Sequence, residues 1–283
     1  MKDNAQETSQ IVEAERKSYS APALEKGLDI LEMLCESDHP ISQKEIAERV
    51  GRSVGEIYRM LSCLVSRNYV TQVDDNNYSI TTKLFELSHI NPPTHRLLFE
   101  ATPIMQRLAK ELDQACHLTV YSQGKQVVLA KVDTPSGMGF SVRAGAELDV
   151  LVSASGRVLL AFQDDETRKL RIEEALQRRP DQADPQIEVI LESIRTVGYE
   201  SIASFQVRGL YAVSFPILDT QGRSIAALTI PYSERMDHQL RKSIPEVTEA
   251  LGEAAQTLTT RLGGAKRLPN KVSTENSSKP SRR

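Results

Sequence analysis

The sequence predicts a two-domain α+β protein, and three observations carry that prediction. Residues 22–82 hold three short helical segments, each with its own start and stop signals, followed by two strand-like runs about a polar turn. Beyond Pro92-Pro93 the chain alternates strand-like and amphipathic helical stretches, the pattern of an antiparallel sheet with helices packed on it. The length, 283 residues, suffices for two ordinary domains with a core in each.

Helical periodicity begins at Pro22, a residue suited to a first turn. Leu24, Leu28, Leu31 and Cys35 then recur on one face, and Asp38-His39-Pro40 stops the helix. Ser42 and Glu45 have the spacing of a capping box. They head a short helix whose apolar face is Ile46, Ala47 and Val50 and whose end is Gly51. Ser53 and Glu56 repeat the pattern and open a third helix with Ile57, Met60, Leu61, Leu64 and Val65 inward. Asn68 is placed as its left-handed cap. Residues 69–73 and 78–82 read as strands joined by Asp74-Asp75-Asn76-Asn77. Three helices and a hairpin make a winged helix-turn-helix, with a tight glycine turn between its second and third helices.

Residues 84–90 continue as a short helix that Pro92-Pro93 breaks. A longer amphipathic helix carries Leu97, Leu98, Ile104, Leu108 and Leu112. Residues 118–121 and 126–132 form a hairpin about Ser122-Gln123-Gly124-Lys125, and 140–143 read as a third strand. Ser153-Ala154-Ser155-Gly156 opens an apolar helix over 157–162. Further helices are expected over 166–178 and 187–197, the second closed by Gly198. Strands follow at 199–202, 211–218 and 224–232, the last two joined by Asp219-Thr220-Gln221-Gly222. A final helix aligns Leu240, Ile244, Val247, Leu251, Leu258 and Leu262. The expected domains are a flexible arm (1–20), the winged helix-turn-helix (21–83), a linker (84–96), the sheet domain (97–262) and a disordered basic tail (263–283).

Composition narrows the function classes. No apolar run approaches the roughly 20 residues that span a bilayer. The first twenty residues have no signal-peptide core, so the expected location is the cytoplasm. Cys35, Cys63 and Cys116 are scattered and odd in number. They fit neither a disulfide framework nor a metal knuckle and are expected to be buried, unreactive thiols. The histidines, His39, His89, His95, His117 and His238, show no metal spacing. Cys116 and His117 are neighbours on a strand and face opposite ways. No carboxylate pair is recognisable, and Ser153-Ala154-Ser155-Gly156 is not a G-x-S-x-G nucleophile elbow. No catalytic residue, metal or cofactor is therefore expected. The net charge is −3, and residues 22–90 hold seven basic and eleven acidic residues, so DNA binding must rest on local placement of cations. From Arg261 onward there are seven basic residues and one acid, Glu275, which suits either nonspecific nucleic-acid contact or a solubilising tail.

Several motifs, in order, carry a resemblance. Ala23-Leu24-Glu25-Lys26-Gly27-Leu28-Asp29-Ile30-Leu31 resembles the opening of the isocitrate lyase regulator (IclR) family. Glu45-Ile46-Ala47-Glu48-Arg49-Val50-Gly51 and Ile57-Tyr58-Arg59-Met60-Leu61 are similar to its helix-turn-helix. Arg67-Asn68-Tyr69-Val70 is similar to its entry to the wing, with Asn where Gly is usual. Ser153-Ala154-Ser155-Gly156-Arg157-Val158-Leu159-Leu160-Ala161 resembles its sensor signature. So does Val213-Ser214-Phe215-Pro216-Ile217-Leu218-Asp219 with Gly222 and Ala226-Ala227-Leu228-Thr229-Ile230. The resemblance implies a GAF-like sensor domain, a homodimer or homotetramer on a palindromic double-stranded operator, and a small organic-acid effector. The chain departs from the family at Val54-Gly55-Glu56, where the third helix usually starts Lys-Ser-Thr-like, and at Leu151, where a polar residue is common.

The candidate DNA-binding residues are Lys44, Arg52, Ser53, Val54, Gly55, Glu56, Tyr58 and Arg59. Phosphate contacts supply affinity and base contacts specificity. Arg52 stands just before, and Arg59 on, the helix that such a motif aims into the major groove. Ser53 offers a hydroxyl and free amides to a phosphate. Lys44 and Arg49 have an alternative role in surface pairs with Glu48 and Glu45. Gly55 permits close backbone approach or simply tolerates a helix start. Glu56 closes a cap on Ser53 or accepts from a cytosine. Tyr58 donates to a phosphate or packs half-exposed. The candidate effector-binding residues are Ser153, Ala154, Ser155 and Gly156, whose amides would face a carboxylate. Ser204, Ser214 and Thr229 are polar partners, with Ala212, two residues before Ser214, on the wall. Each hydroxyl could instead satisfy backbone groups, and Arg143 is expected at the surface. Two other readings compete: a second domain serving oligomerisation without a ligand, and an enzyme acting on a small acid.

Overall fold

A computed structural model describes residues 21–74, 76–136, 139–204, 207–233 and 242–265. The expected arm over 1–20, the tail beyond 265, Asp75, Leu240 and His238 lie outside the described residues. The chain divides into two compact units that meet between Pro92 and Pro93.

The first unit contains α1 (Pro22–Cys35), β1 (Ile41–Ser42), α2 (Gln43–Arg49), α3 (Val54–Ser66), β2 (Val70–Gln72), β3 (Asn77–Ile80) and α4 (Lys83–Ile90). Its core is Ile30, Leu34, Ile41, Ile46, Ala47, Ile57, Leu61, Val70 and Tyr78. In α1 the buried residues are Ile30 and Leu34, not the Leu24/Leu28 face. The helix has two apolar stripes, and Leu24 and Leu28 are 63% and 46% exposed. A Schellman motif closes α2: Gly51 N–H bonds Glu48 O, Arg52 N–H bonds Ala47 O, and Gly51 takes φ +64°. Asn68, at φ +60°, closes α3 in the same way. The hairpin pairs Val70 with Ile80 and Gln72 with Tyr78. β1 adds a third strand to it, pairing Ile41 with Tyr78, which the sequence pattern did not show.

The second unit contains α5 (Pro92–Leu112), β4 (Cys116–Ser122), β5 (Lys125–Val132), β6 (Glu147–Asp149), α6 (Ala154–Ala161), α7 (Asp165–Arg178), α8 (Ile187–Val197), β7 (Glu200–Ala203), β8 (Leu210–Leu218), β9 (Ser224–Ser233) and α9 (Ile244–Arg261). Six antiparallel strands run in the order β6-β5-β4-β9-β8-β7. Leu118, Val213, Ile217, Leu228 and Ile230 face α5 and α9 on one side. Ala227 and its face meet α6, α7 and α8 on the other. The apolar stripe of α5 (Leu97, Ile104, Leu108, Leu112) is spent on this core. The expected strand at 140–143 is not one. The third strand of that end is β6, which pairs Leu148 with Gln126 on β5. At the β4–β5 turn, Tyr121 Oη donates to Glu174 on α7 at 2.5 Å and accepts from Gly124 N–H at 2.8 Å. Cys35 and Cys63 are exposed, against expectation, and Cys116 is buried.

Candidate DNA interface and ligand cavity

Ser53 caps α3 with a complete capping box: its hydroxyl accepts from Glu56 N–H at 3.3 Å, and Glu56 accepts from Ser53 N–H at 3.1 Å. Glu56 also pairs with Lys26 on α1 at 3.0 Å. The Ser53 amide, then Lys26, hold its carboxyl down to about 2. Glu56 is thus an anchor of the helix start. At the earlier box only half forms. Ser42 accepts from Glu45 N–H at 3.2 Å, but the Glu45 carboxylate turns to Arg49 at 2.5 Å. Lys44 lies 3.9 Å from Glu48.

All eight candidate DNA-binding residues are exposed. Val54 is 46% and Tyr58 58% exposed on α3, large apolar surface that the unit's own core does not use. A Cβ placed on Gly55 would meet nothing within 4 Å, so the fold itself does not require glycine there. Among the described residues no ion-pair partner engages Arg52 or Arg59.

In the second unit a cavity of about 90 Å³ opens between the start of α6 and the sheet. Of the candidate effector residues, Ser153, Ala154, Ser155, Ser204, Ala212 and Thr229 line it, and Gly156 and Ser214 do not. Gly156 is packed against the backbone: a Cβ there would stand 2.3 Å from Val150 Cα. Its amide bonds Ser153 Oγ at 3.1 Å. The Ser153 hydroxyl is fully engaged, because it also accepts from Gln126 Nε2 at 2.6 Å and donates to Asp149 O at 2.5 Å. Ser214 is fully buried, and its hydroxyl meets that of Thr229 at 2.8 Å. Ser204 Oγ accepts from Val207 N–H at 3.1 Å. The first i→i−4 bond of α6 runs from Arg157 N–H to Ser153 O. The amides of Ala154 and Ser155 precede it and have no partner within the helix. Leu151, 3% exposed, belongs to the core and not the wall.

The sequence reading missed most of the apolar wall, including Phe140, Val142, Ile202 and Leu210. It also missed Asp149 and His117 as lining residues. Asp149 is engaged by Arg179 at 3.2 Å and Gln182 at 2.9 Å. His117 is 5% exposed, and burial pushes its imidazole down to about 4, so the ring is neutral. The alternation His117, Thr119, Tyr121 between Leu118 and Val120 was the available signal: it puts one polar row on one face of β4.

A capped helix-turn-helix with a wing, presenting an exposed helix with free cations, defines a DNA-binding transcription regulator. Comparison with known proteins agrees. Residues 23–74 match the model of the IclR helix-turn-helix domain, and residues 94–260 match that of the bacterial transcriptional regulator IclR C-terminal domain. The chain belongs to the IclR family of bacterial transcriptional regulators. It is 26% identical over 254 residues to the HTH-type transcriptional regulator KdgR of Escherichia coli K12, covering 88% of this chain and 95% of that one. Among solved structures, HmgR of Pseudomonas aeruginosa aligns at TM-score 0.65 and 25% identity, covering 84% of this chain and 97% of that chain. An IclR homologue from Microbacterium hydrocarbonoxydans, solved in complex with 4-hydroxybenzoate, aligns at TM-score 0.70 and 22% identity, covering 85% and 99%. The relatives are transcription regulators, and this chain is a regulator, not an enzyme. Among the described residues no helix is long and apolar enough to cross a membrane.

Proposed function

We propose that this regulator acts in the cytoplasm as a homodimer or homotetramer on a palindromic operator, and that a small organic acid in the α6 cavity modulates its DNA affinity. The observation that carries the second half is the cavity itself. It is bounded on one side by the unpartnered first amides of α6 and on the other by apolar side chains. Helix amides and dipole favour an anion there by at most about 2 kcal/mol. Micromolar affinity needs roughly 8 kcal/mol, so hydroxyl contacts and apolar burial must supply the rest. The 4-hydroxybenzoate held by the Microbacterium hydrocarbonoxydans homologue supports the ligand class. In this reading Arg52, Arg59, Ser53, Val54, Gly55 and Tyr58 face the DNA, Lys44 contributes charge, and Glu56 holds the cap. In the same reading the winged helix-turn-helix spans 21–83, a linker 84–96 and the effector-binding domain 97–262.

Oligomerisation is placed on exposed apolar residues of the first unit and its C-terminal helix: Leu24, Leu28, Phe85 and Ile90. A palindromic site demands a two-fold partner.

The test is melting temperature and operator affinity, with and without a panel of short aliphatic and aromatic acids. At least one acid should raise the melting point and change operator affinity several-fold to a hundredfold, a coupling of about 1–3 kcal/mol. Ser155→Pro, which removes one free amide, should weaken both effects. If no acid shifted either quantity, the second domain would serve assembly alone.

A further inference from the structure

Three buried polar atoms on the sheet face beneath α6 make no hydrogen bond: His117 Nδ1, Thr119 Oγ1 and Gln126 Oε1. Of the three residues, His117 borders the cavity. A buried polar group left unpaired costs free energy, and in a native structure it calls for an explanation. Resting on the reading of the cavity as an acid site, we propose that His117 is its specificity residue: the ring hydrogen-bonds an oxygen of the bound acid and takes up a proton from solvent as the acid binds.

The ladder sets the geometry. His117 on β4 stands directly opposite Thr229 on β9, and Thr229 opposite Ser214 on β8. Residues paired in this way share a face. The imidazole and the Thr229 hydroxyl therefore form a polar floor, and the Ala154 and Ser155 amides lie across the cavity from it. An oxygen held by the amides would bring its anionic charge within the same small space as the ring.

Among the described residues, the charged groups on the elements around the ring have partners. Lys131, opposite His117 on β5, binds Asp133 at 2.6 Å. Asp149 on β6 binds Arg179 at 3.2 Å. Glu200 on β7 and Arg157 on α6 face each other at 3.7 Å. Among the described residues these charges are compensated, so an anion in the cavity adds a charge without a partner beside the imidazole, and an adjacent opposite charge raises a histidine pKa. Without the acid, burial keeps the ring neutral down to about pH 4. Between that value and the raised one, each acid bound recruits up to one proton, and affinity falls by up to about tenfold per unit rise in pH.

The experiment uses the full chain with propanoate and benzoate as probes, and propanamide and benzamide as uncharged counterparts. Calorimetry at pH 6.5 in two buffers of unlike ionisation heat counts protons taken up, and the titration is repeated from pH 5.5 to 7.5, where both probes are anionic. The expected result is proton uptake with at least one acid and none with the amides. Affinity should fall several-fold across the range, and both effects should vanish in His117→Gln. Acid binding without proton uptake in the wild type overturns the role of His117 and leaves the cavity reading standing. So does an unchanged pH slope in His117→Gln. The wild-type buffer comparison decides the point even if the variant does not fold. No binding by either acid overturns the cavity reading, and this inference with it.

Discussion

His117 also leaves a mark on stability. Its ring has a pKa of about 4 in the folded chain and about 6.5 when unfolded. Between those values the unfolded chain binds a proton that the folded chain refuses. The stability contributed by the neutral ring is complete above about pH 6.5 and is lost as pH falls toward 4, by about 3 kcal/mol at the acid end. Urea midpoints between pH 7.5 and 4.5 should therefore fall less steeply in His117→Gln than in the wild type. Parallel curves would contradict this. Gly156 supports a second prediction at this scale. Its absent Cβ makes room for the Val150 backbone, which cannot swing aside as a flexible side chain can. Gly156→Ala should cost about 3 kcal/mol, measured as a lowered urea midpoint.

At the scale of the element, α3 depends on its first turn. Ser53→Ala removes the acceptor of the Glu56 amide and should cost about 1 kcal/mol of stability. Arg59→Ala should leave the melting point unchanged and weaken operator binding by about 1–3 kcal/mol if it reads a base. A gel shift beside a thermal melt separates the two. The same element shows what local sequence can reveal. The Ser53–Glu56 box, Gly51 and Asn68 are decided within a few residues by hydrogen-bond geometry and left-handed backbone, so they were legible. The three-residue β6 was not. Glu-Leu-Asp has little strand character of its own, and it becomes a strand only because β5 offers an edge at Lys125, Gln126 and Val127. The alternating run at 140–143 looked more like a strand, but Phe140 and Val142 line the cavity. In α1 two apolar stripes competed, and only packing chose Ile30 and Leu34. The site was legible as a helix start with hydroxyls nearby. That Ser153 and Ser214 were already engaged by side chains was not, because Gln126 and Thr229 lie on β5 and β9, 27 and 15 residues away in sequence.

At the scale of the whole molecule, the proposed assembly rests on apolar surface outside both cores. Phe85 and Ile90 on α4 are 64% and 69% exposed, while the apolar stripe of α5 lies in the core. If the chain assembles as proposed, the wild type should be an oligomer in light scattering at micromolar concentration, and Phe85→Asp with Ile90→Asp should give a folded monomer of reduced operator affinity. An unchanged mass would exclude α4 from the interface.

The saturated hydroxyl of Ser153 has a consequence for how the proposed sensor diversifies. One oxygen ties β5, the end of β6 and the first turn of α6, and Gly156 seats that turn on Val150. These contacts are scaffold, and changing them dismantles the roof. Ala212, Ile202 and Val207 touch the cavity through side chains that carry none of these ties. They form an interchangeable lining, so if the cavity takes a ligand as proposed, a lineage could drift toward a new one by exchanging wallpaper while the joinery stays untouched.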